Sequence, residues 1–280
     1  MVKVALAMIV KGSKDEGPLL EACLKNVSKH VDGIFLDINS PKGKGINQKV
    51  LDIAKKYKAD VKQTVWEGNF VKARNDNFNR VPKDFTHILW LDSDDTVENP
   101  EKIREVAAIT DSVDGIYVKY DYAHDEYGNV TVTHWVARLV KNNESFAWKS
   151  SFADMEVTVH ETLNERRKVK KAMNDEFWVV HHASEERRDA SLARNIELLE
   201  GMLDEYGRID TADPRILYYL ATHYIDAYRY PDAKQLFEEY LRLSGWAEER
   251  SQAWVYLGMI YQAYSDTAKE IGRASCRERV

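Results

Sequence analysis

The chain has 280 residues, of which 44% are hydrophobic and 31% are charged, so it can form one large domain or two ordinary ones. Its formal net charge of −6 argues against a general nucleic-acid-binding protein. The two cysteines, Cys23 and Cys276, match no metal or disulfide spacing, and no apolar run is long enough to span a membrane, so we expect a cytoplasmic protein.

The first hundred residues alternate four times between strand-like and helix-like patterns. Short apolar runs predict strands over residues 3–10, 33–38, 61–66 and 86–91, and the segments between them carry helical stripes. Such alternation predicts right-handed βαβ units and a mostly parallel sheet. No glycine pattern of a dinucleotide site or a P-loop is present.

Charged residues stand at the ends of three of these strands. Lys11 follows the first strand, Asp37 ends the second, and Asp92 follows the fourth. Because ligands of such sheets bind at the carboxyl ends of the strands, we expect these side chains to line one crevice. Alternatively, Asp37 only forms the turn that ends its strand.

The segment L-D-S-D-D carries the strongest chemical signal. Asp92 and Asp94 are two residues apart, so they lie on the same side of an extended backbone. Such a pair can hold one divalent cation, or one carboxylate can bind the cation while the other binds a ribose hydroxyl. Alternatively, Asp94, Asp95 or Thr96 caps a helix that opens near residue 100.

Beyond residue 100 the pattern becomes that of antiparallel strands. The β-rich segments 115–122 and 130–140 flank the turn-forming sequence D-E-Y-G-N and predict a hairpin. Further short strand-like segments are 147–149, 157–161 and 177–182. We therefore predict one α/β domain with a mixed sheet over residues 1–183.

From residue 185 onward the pattern is helical. The spacing W-x-x-L-G-x-x-Y at 254–261 is typical of a tetratricopeptide repeat, and 217–237 fits the same frame. We predict tetratricopeptide-like helical hairpins over 184–271. The packing positions that we expect to be buried are Leu217, Leu220, Tyr224, Phe237, Trp254, Leu257 and Tyr261. Residues 272–280 carry no apolar stripe, and we expect them to be a non-native tail.

Seven short motifs together resemble the family 2 glycosyltransferases of the GT-A fold that carry tetratricopeptide-like helices after the catalytic domain. The motifs are M-I-V-K at 8–11, V-D-G-I-F-L-D at 31–37, F-V-K-A-R-N at 70–75, L-D-S-D-D at 91–95, A-R-L-V at 137–140, V-H-E at 159–161 and R-N-I-E-L-L-E from Arg194. The resemblance covers roughly residues 3–265. It implies a Rossmann-like α/β GT-A domain followed by an all-α region.

The resemblance also implies an activity. Such enzymes (EC 2.4) move a sugar from a nucleoside-diphosphate sugar to a hydroxyl of an acceptor, with inversion at the anomeric carbon. The acceptor here is unknown and could be a glycan, a protein or another hydroxyl compound. By the same resemblance, the nucleotide sugar is bound by Lys11, Asp37, Arg74, Asn75 and Asp92. Arg74 could instead pair with an acid at the edge of the sheet.

The implied cofactor is Mn²⁺ or Mg²⁺. The resemblance assigns Asp92 and Asp94 as ligands, with Asp95 as a substitute, and a histidine from the second half, His160 or His182, to complete the site. A divalent cation held by carboxylates neutralises a leaving diphosphate, which glycosyl transfer requires. The family has Asn-Glu directly after the first lysine, whereas this chain has G-S-K-D, so the contacts of this loop differ.

Transfer further requires a base that deprotonates the acceptor hydroxyl. Candidates in the second half are Asp154, Glu156 and Glu161. His160 and Glu161 are adjacent in a predicted strand, so at most one of them faces a bound metal.

Two alternatives stay open. A nucleotidyltransferase would also hold a metal and a nucleotide with paired acids, but it needs a glycine-rich basic loop after the first strand. An inactive scaffold would keep the fold and bind a partner protein through the helices. The helices could also mediate self-association.

Overall fold

The computed structural model describes residues 2–109, 112–125, 127–150, 161–182, 185–205, 209 and 212–277. The chain divides into two compact units, Met1–Ala183 and Ser184–Val280. The first unit combines strands and helices, and the described part of the second unit contains helices. The predicted fold class, an α/β mixed sheet followed by an all-α region, is therefore confirmed.

Strands and helices alternate in the first hundred residues as the sequence pattern predicts, whereas β5 and β10 were not predicted. The strands are β1 (Val4–Lys11), β2 (Gly33–Ser40), β3 (Asp60–Val65), β4 (His87–Trp90), β5 (Asp95–Glu98), β6 (Gly115–His124), β7 (Val130–Lys141), β8 (Phe146–Ser150), β9 (Glu161–Glu165), β10 (Lys171–Met173) and β11 (Trp178–His181). The helices are α1 (Gly17–Val27), α2 (Gln48–Lys56), α3 (Phe70–Asn79), α4 (Ile103–Ile109), α5 (Glu185–Glu205), α6 (Pro214–Asp226), α7 (Tyr230–Leu243) and α8 (Ala247–Arg277). Among the described residues, no helix combines the length and apolarity that a membrane crossing requires.

Nine of the described strands form one mixed sheet. Its order is β3-β2-β1-β4-β7-β6-β11-β5, and β10 pairs with β6. The pairs within β3-β2-β1-β4 are parallel, as the βαβ pattern predicts, whereas β7 is antiparallel to both β4 and β6. The carboxyl ends of β1, β2, β3 and β4 therefore lie along the same edge of the sheet.

Both faces of the sheet are covered by apolar side chains. Leu6 and Met8 of β1 belong to the larger core cluster, and Ala5 and Ala7 belong to a second cluster with Phe35. All four β1 residues are at most 1% exposed. Successive residues of a strand point to opposite faces, so a continuous apolar run is what a strand covered on both faces requires.

Side-chain caps define where three helices begin. Asn47 accepts a hydrogen bond from the backbone N–H of Lys49 at the start of α2, and Asn69 accepts one from Lys72 at the start of α3. Asp213 caps α6 in the same way. Each cap satisfies a backbone donor that the helix leaves free and contributes about 1 kcal/mol.

The hairpin predicted from the D-E-Y-G-N sequence is present as β6 and β7. The Asp125 carboxylate accepts hydrogen bonds from the backbone N–H groups of Tyr127 and Asn129. Gly128 has a φ of +83°, a left-handed conformation that glycine adopts without steric cost. Composition alone therefore placed this turn correctly.

The helical unit buries five of the seven predicted packing residues, namely Leu217, Leu220, Tyr224, Phe237 and Leu257. The prediction is wrong for Trp254 and Tyr261, which are 60% and 51% exposed. Ala253, Leu257 and Ile260 form the buried stripe of α8, and Trp254 and Tyr261 lie about 100° further round the helix. The tetratricopeptide interpretation and the non-native origin of 272–280 stay predictions.

Candidate active site

The acid-rich segment forms a tight turn between β4 and β5. The backbone N–H of Asp95 donates to the carbonyl of Asp92 at 3.1 Å, and the N–H of Asp92 donates to the Asp95 carboxylate at 3.0 Å. Asp92 and Asp94 therefore lie in a turn, and the extended backbone that the sequence analysis assumed for them is wrong. The turn projects their side chains beyond the end of β4.

The alternative explanation, in which these acids cap a helix, is wrong. Asp95 begins β5, which pairs antiparallel with β11, and the chain turns helical only at residue 100. The residue before that helical turn is Asn99, whose φ of 54° is left-handed and whose side chain makes no capping bond there. The three carboxylates therefore have no role in starting a helix.

Asp95 is fully buried and all of its acceptor positions are occupied. One carboxylate oxygen lies 3.2 Å from the Tyr120 hydroxyl and 3.1 Å from Nδ1 of His181. The other accepts from the Asp92 backbone and forms an ion pair with Arg138 at 3.2 Å. A carboxylate has about four lone-pair sites, and these four contacts use all of them. Asp95 therefore holds neighbouring residues of the site in place and is not available to a ligand.

Arg138 is the buried counter-charge of Asp95, with a side chain that is 1% exposed. Its guanidinium lies 3.8 Å from the ring centroid of Trp90 and 4.1 Å from that of Tyr120, so it is held between two aromatic faces. Removal of one partner from such a buried pair leaves an uncompensated charge and costs about 3–5 kcal/mol.

His181 of β11 faces the acids. Because a carboxylate only accepts hydrogen bonds, Nδ1 of His181 carries the hydrogen toward Asp95, and Nε2 is left as a potential ligand. Tyr122 stacks on the imidazole, with a centroid distance of 5.4 Å and an interplanar angle of 7°. Burial lowers the pKa of His181, but the hydrogen bond to Asp95 and the charge of Asp94 outweigh burial and raise the pKa above its ordinary value.

The neighbouring His182 points elsewhere. Its Nε2 lies 2.7 Å from the Thr96 hydroxyl, and its backbone N–H donates to the Asp94 carbonyl at 2.8 Å. Adjacent residues at a strand end face opposite sides, so only one of the two histidines reaches the acids. The structure thus brings His181 to the acids and not His182, one of the two histidines that the resemblance suggested.

Among the described residues, the donor atoms of Asp94, Asp95 and His181 lie within 4.8 Å of one another. This donor set can hold a divalent cation, since carboxylate oxygens suit Mg²⁺ and Mn²⁺ and imidazole adds a nitrogen ligand. The oxygens of Asp95 are already engaged by four groups. Asp94 lies 3.8 Å from Nδ1 of His181 and is the more exposed carboxylate of the two in this group. The nearby Asp92 adds a third carboxylate at the same turn.

Asp92 pairs with Arg74 from α3. The guanidinium donates to the Asp92 carboxylate at 2.8 Å and lies over the rings of Trp90 and Trp148, at 5.2 and 4.7 Å from their centroids. Burial raises the pKa of Asp92, but the charges of Arg74 and Arg138 outweigh burial and hold the pKa below its ordinary value. The structure therefore supports the alternative reading of Arg74, in which it pairs with an acid at the sheet edge.

Two further residues assigned to the nucleotide sugar make structural contacts. Both the oxygen and the nitrogen of the Asn75 amide bind the backbone of Trp148, at 3.0 and 2.9 Å. Asp37 lies inside β2, 2% exposed, where Arg80 and Asn77 bind its carboxylate. The strand continues three residues beyond Asp37, so this acid does not stand at its end, contrary to the prediction.

The loop after β1 reaches the acid turn through Glu16. This carboxylate is 2% exposed and accepts a short hydrogen bond from the Ser93 hydroxyl, in the middle of the turn. Lys11, the last residue of β1, is exposed and lies 3.4 Å from Asp15. Gly12 is hydrogen-bonded to β2, since its backbone N–H donates to the Asn39 carbonyl at 2.7 Å.

An open cleft of about 290 Å³ lies at the carboxyl ends of β2 and β3. Its lining combines charged, amide and aromatic groups, among them Asp37, Asn39, Lys62, Thr64, Trp66, Lys72, Ala73 and Asp76. Helix α3 joins the cleft to the acid turn, because Ala73 lines the cleft and the next residue, Arg74, binds Asp92.

Several of the predicted site residues lie outside the part of the chain that the structure describes. Asp154, Glu156 and His160 fall within 151–160, outside the described residues. Glu161 begins β9, where its backbone pairs with that of Ser150, and its side chain is outside the description. Their assignments as base or ligand stay predictions.

Sequence reasoning missed His181, Glu16 and the role of Arg138. The signal for His181 was available: the alternation of β11 places His181 on the same face as Val179, which is fully buried. Arg138 stands in the A-R-L-V motif, but only its pairing with Asp95 shows its role. Nothing in the sequence pattern indicates that Glu16 binds Ser93.

No protein-family model and no curated protein matches this sequence. Among solved structures, the chain is similar to S. aureus TarS 1-349, with 10% identity, a TM-score of 0.46, and coverage of 95% of this chain and 92% of that chain. The same protein in complex with UDP-GlcNAc is similar at 12% identity, with the same TM-score and coverage. HddC from Yersinia pseudotuberculosis is similar at 11% identity with a TM-score of 0.39, over 69% of this chain and 99% of that chain.

Proposed function

We propose that this chain is a glycosyltransferase that uses a nucleoside-diphosphate sugar and a divalent cation. The observation that carries the proposal is the cluster of Asp94, Asp95 and His181 at the carboxyl edge of the sheet, with Asp92 in the same turn. Two of its carboxylates, Asp92 and Asp94, are partly exposed, with side chains 30% and 18% accessible. It has the charge and donor types that a cation–diphosphate complex requires.

In this proposal Asp94 and Nε2 of His181 bind Mn²⁺ or Mg²⁺, and Asp92 binds either the cation or a ribose hydroxyl. The cation, when bound, neutralises the negative charge that develops on the departing diphosphate. Asp95 keeps the His181 ring oriented, and Arg74 keeps Asp92 ionised. Each protein group thus has a task that its contacts support.

The nucleoside of the donor fits the cleft beside α3. Trp66 lies against Phe70 with a centroid distance of 4.6 Å and contributes an aromatic surface, while Asn39 and Thr64 offer hydrogen-bonding groups. Lys62 and Lys72 supply positive charge at the same place. A ligand with a ring, hydroxyls and phosphates matches this lining.

The acceptor hydroxyl requires a base on the side opposite to the leaving diphosphate. Direct displacement then forms the new glycosidic bond as the bond to the diphosphate breaks, which inverts the anomeric carbon. Asp154, Glu156 and Glu161 are the proposed bases.

Nucleotidyl transfer is the weaker proposal. That chemistry needs a mobile glycine-rich loop to hold the triphosphate after the first strand. Here Gly12 is packed: an added Cβ would lie 2.9 Å from the Ile46 side chain, and the Gly12 carbonyl accepts from the Asn47 N–H. The glycine thus serves close packing of the loop.

A thermal-shift and product assay tests the proposal. We expect UDP or GDP with Mn²⁺ to raise the melting temperature, because a ligand at a hundred times its dissociation constant adds about 2.7 kcal/mol. Incubation with nucleotide sugars should release a nucleoside diphosphate. Equal stabilisation in chelator would refute the role of the metal, and pyrophosphate release from a nucleoside triphosphate and a sugar phosphate would favour nucleotidyl transfer. An inactive protein that binds no nucleotide would indicate a scaffold.

A further inference from the structure

Glu16 is a buried carboxylate with no direct part in the proposed chemistry. It is 2% exposed and ends the 3-10 turn Lys14–Glu16, which leads directly into helix α1. Its carboxylate accepts a hydrogen bond from the hydroxyl of Ser93, a residue that is 6% exposed. Burial of a carboxylate is costly unless donors reach it, so this contact links the loop after β1 to the acid turn, residues 92–95.

Ser93 is the residue that separates Asp92 from Asp94. Each of its two peptide bonds is planar and leads directly to one of these acids, so the position of Ser93 determines where both carboxylates begin. The turn closes around Ser93, because the backbone N–H of Asp95 donates to the carbonyl of Asp92 at 3.1 Å. A hydrogen bond to the Ser93 side chain therefore restrains both acids at once.

Helix α1 keeps Glu16 in a fixed position. Near the other end of this helix, Asn26 binds the backbone of Val97 in β5 through both atoms of its amide, at 3.0 and 2.8 Å. Between these two contacts, the helix is anchored in the larger core cluster by fully buried residues, among them Leu20, Cys23 and Leu24. The helix thus binds the acid turn just before its first residue and β5 near its last.

We propose that Glu16 is a positioning residue for the metal site, which holds Ser93 so that Asp92 and Asp94 direct their carboxylates to one cation. This inference rests on the proposed function, because it concerns the same cation. On the other side of the turn, the carbonyl of Asp94 accepts from the backbone N–H of His182 at 2.8 Å. The turn is therefore held by the loop after β1 on one side and by the residue after β11 on the other.

The hydrogen bond to Ser93, and not the negative charge of Glu16, performs this task. Glutamine at position 16 keeps an oxygen that accepts from the Ser93 hydroxyl, whereas alanine removes that acceptor. Glu16→Gln and Glu16→Ala therefore separate the contact from the charge. Ser93→Ala removes the same contact from the other side and leaves the Glu16 charge in place.

Titration of the full chain with Mn²⁺ alone, followed by electron paramagnetic resonance, tests the proposal. Loss of a contact that orients metal ligands typically weakens metal binding by 10–100-fold, so Glu16→Ala and Ser93→Ala should each raise the dissociation constant about tenfold. Glu16→Gln should stay within about threefold of the natural chain, since it keeps the acceptor. At saturating Mn²⁺, the spectrum of the bound ion should change in both alanine variants, because it reports the arrangement of the ligands.

A double variant tests whether the two residues act as one unit. Glu16→Ala combined with Ser93→Ala should bind Mn²⁺ within about threefold of either single variant, because each single change already breaks the contact. Independent contributions would instead multiply to a loss on the order of a hundredfold. A loss of that size would overturn the proposal.

Asn26→Ala is the matched control from the same helix. It removes two hydrogen bonds to β5, so it should lower the melting temperature, while the dissociation constant for Mn²⁺ should stay within about twofold of that of the natural chain. A loss of Mn²⁺ affinity in Asn26→Ala equal to that in Glu16→Ala would show a general effect of helix packing and would refute the positioning role.

The remaining outcomes separate this inference from the proposed function. If the natural chain binds Mn²⁺ and Glu16→Ala binds it equally well, the positioning role of Glu16 is wrong while the metal site stands. A Glu16→Gln variant as weak as Glu16→Ala would show that charge and not the contact matters, which also contradicts the proposal. A natural chain that binds no Mn²⁺ would remove the metal from the proposed function and this inference with it.

Discussion

Asp95 lies 3.1 Å from Nδ1 of His181, and this contact fixes the tautomer and the orientation of the imidazole ring. The carboxylate is fully buried, is paired with Arg138 and carries no free acceptor position. Asp95 therefore has a structural role: it holds the backbone of Asp92 and the ring of His181 in place. Asp94 and Asp92 are partly exposed, with side chains 18% and 30% accessible to solvent. We therefore expect substitution of Asp94 to affect activity and substitution of Asp95 to affect stability.

We expect Asp94→Asn to abolish sugar transfer and to change the free energy of unfolding by less than about 1 kcal/mol. The substitution removes a ligand charge from a partly exposed turn without opening a cavity. The measurements are nucleoside-diphosphate release and urea unfolding, with the exposed Asp175→Asn as a control. Normal turnover in Asp94→Asn would remove Asp94 from the catalytic group.

Asp95→Asn should instead destabilise the fold by about 3–5 kcal/mol, because it leaves the Arg138 guanidinium buried without its counter-charge. The melting temperature should fall by on the order of 10 °C. The double variant Asp95→Asn with Arg138→Met should recover part of this loss, since it removes both charges. If Asp95→Asn proves as stable as Asp94→Asn, the supporting role of Asp95 is wrong.

Mn²⁺ binding should tighten as pH rises from 6 to 8. The cation needs the lone pair on Nε2 of His181, and Asp95 and Asp94 together raise the pKa of this histidine above its ordinary value, so protons compete with the metal near neutral pH. The dissociation constant should fall up to tenfold per pH unit below that pKa. Calorimetric titration at several pH values measures it, and His181→Gln should bind more weakly with a flat pH dependence. A steep dependence that persists in His181→Gln would contradict this assignment.

A separate pH effect is expected from Asp114, far from the acid turn in sequence. The backbone N–H of Lys170, with Asn143, Ser145 and Arg167, lowers the pKa of Asp114 to about 2. A group with a lowered pKa stabilises the fold above its unfolded pKa, so Asp114 should contribute about 2 kcal/mol at pH 7. This contribution is lost as pH falls from about 4 to about 2.

The measurement compares urea unfolding of the natural chain and Asp114→Asn. Their difference should be about 2 kcal/mol at pH 7 and should shrink below pH 4, where the natural carboxyl takes up its proton. Asp175→Asn, at an exposed carboxylate, serves as the surface control. A difference that stays constant down to pH 2 would show that Asp114 acts through shape and not through charge.

The sequence by itself determined the alternation of strands and helices in the first hundred residues and the hairpin that follows, but it did not predict β5 or β10. Apolar runs that end in polar residues are enough to locate β1 and β4, because a strand covered on both faces must be apolar along its length. Turn chemistry at Asp125 and Gly128 was enough to locate the β6–β7 hairpin, because these preferences are local. The cluster of acids after β4 likewise followed from the sequence.

Only the tertiary structure decided what each polar group does. Contacts between residues far apart in the chain assign Arg74 to Asp92, Asp95 to Arg138 and His181, and Asp37 to Arg80. The choice between His181 and His182 depended on which face of β11 meets the acid turn. Trp254 and Tyr261 matched a repeat spacing, yet they are exposed, since burial requires a partner helix and spacing alone does not supply one. Local pattern specifies secondary structure, whereas the pairing of buried charges depends on packing over the whole unit.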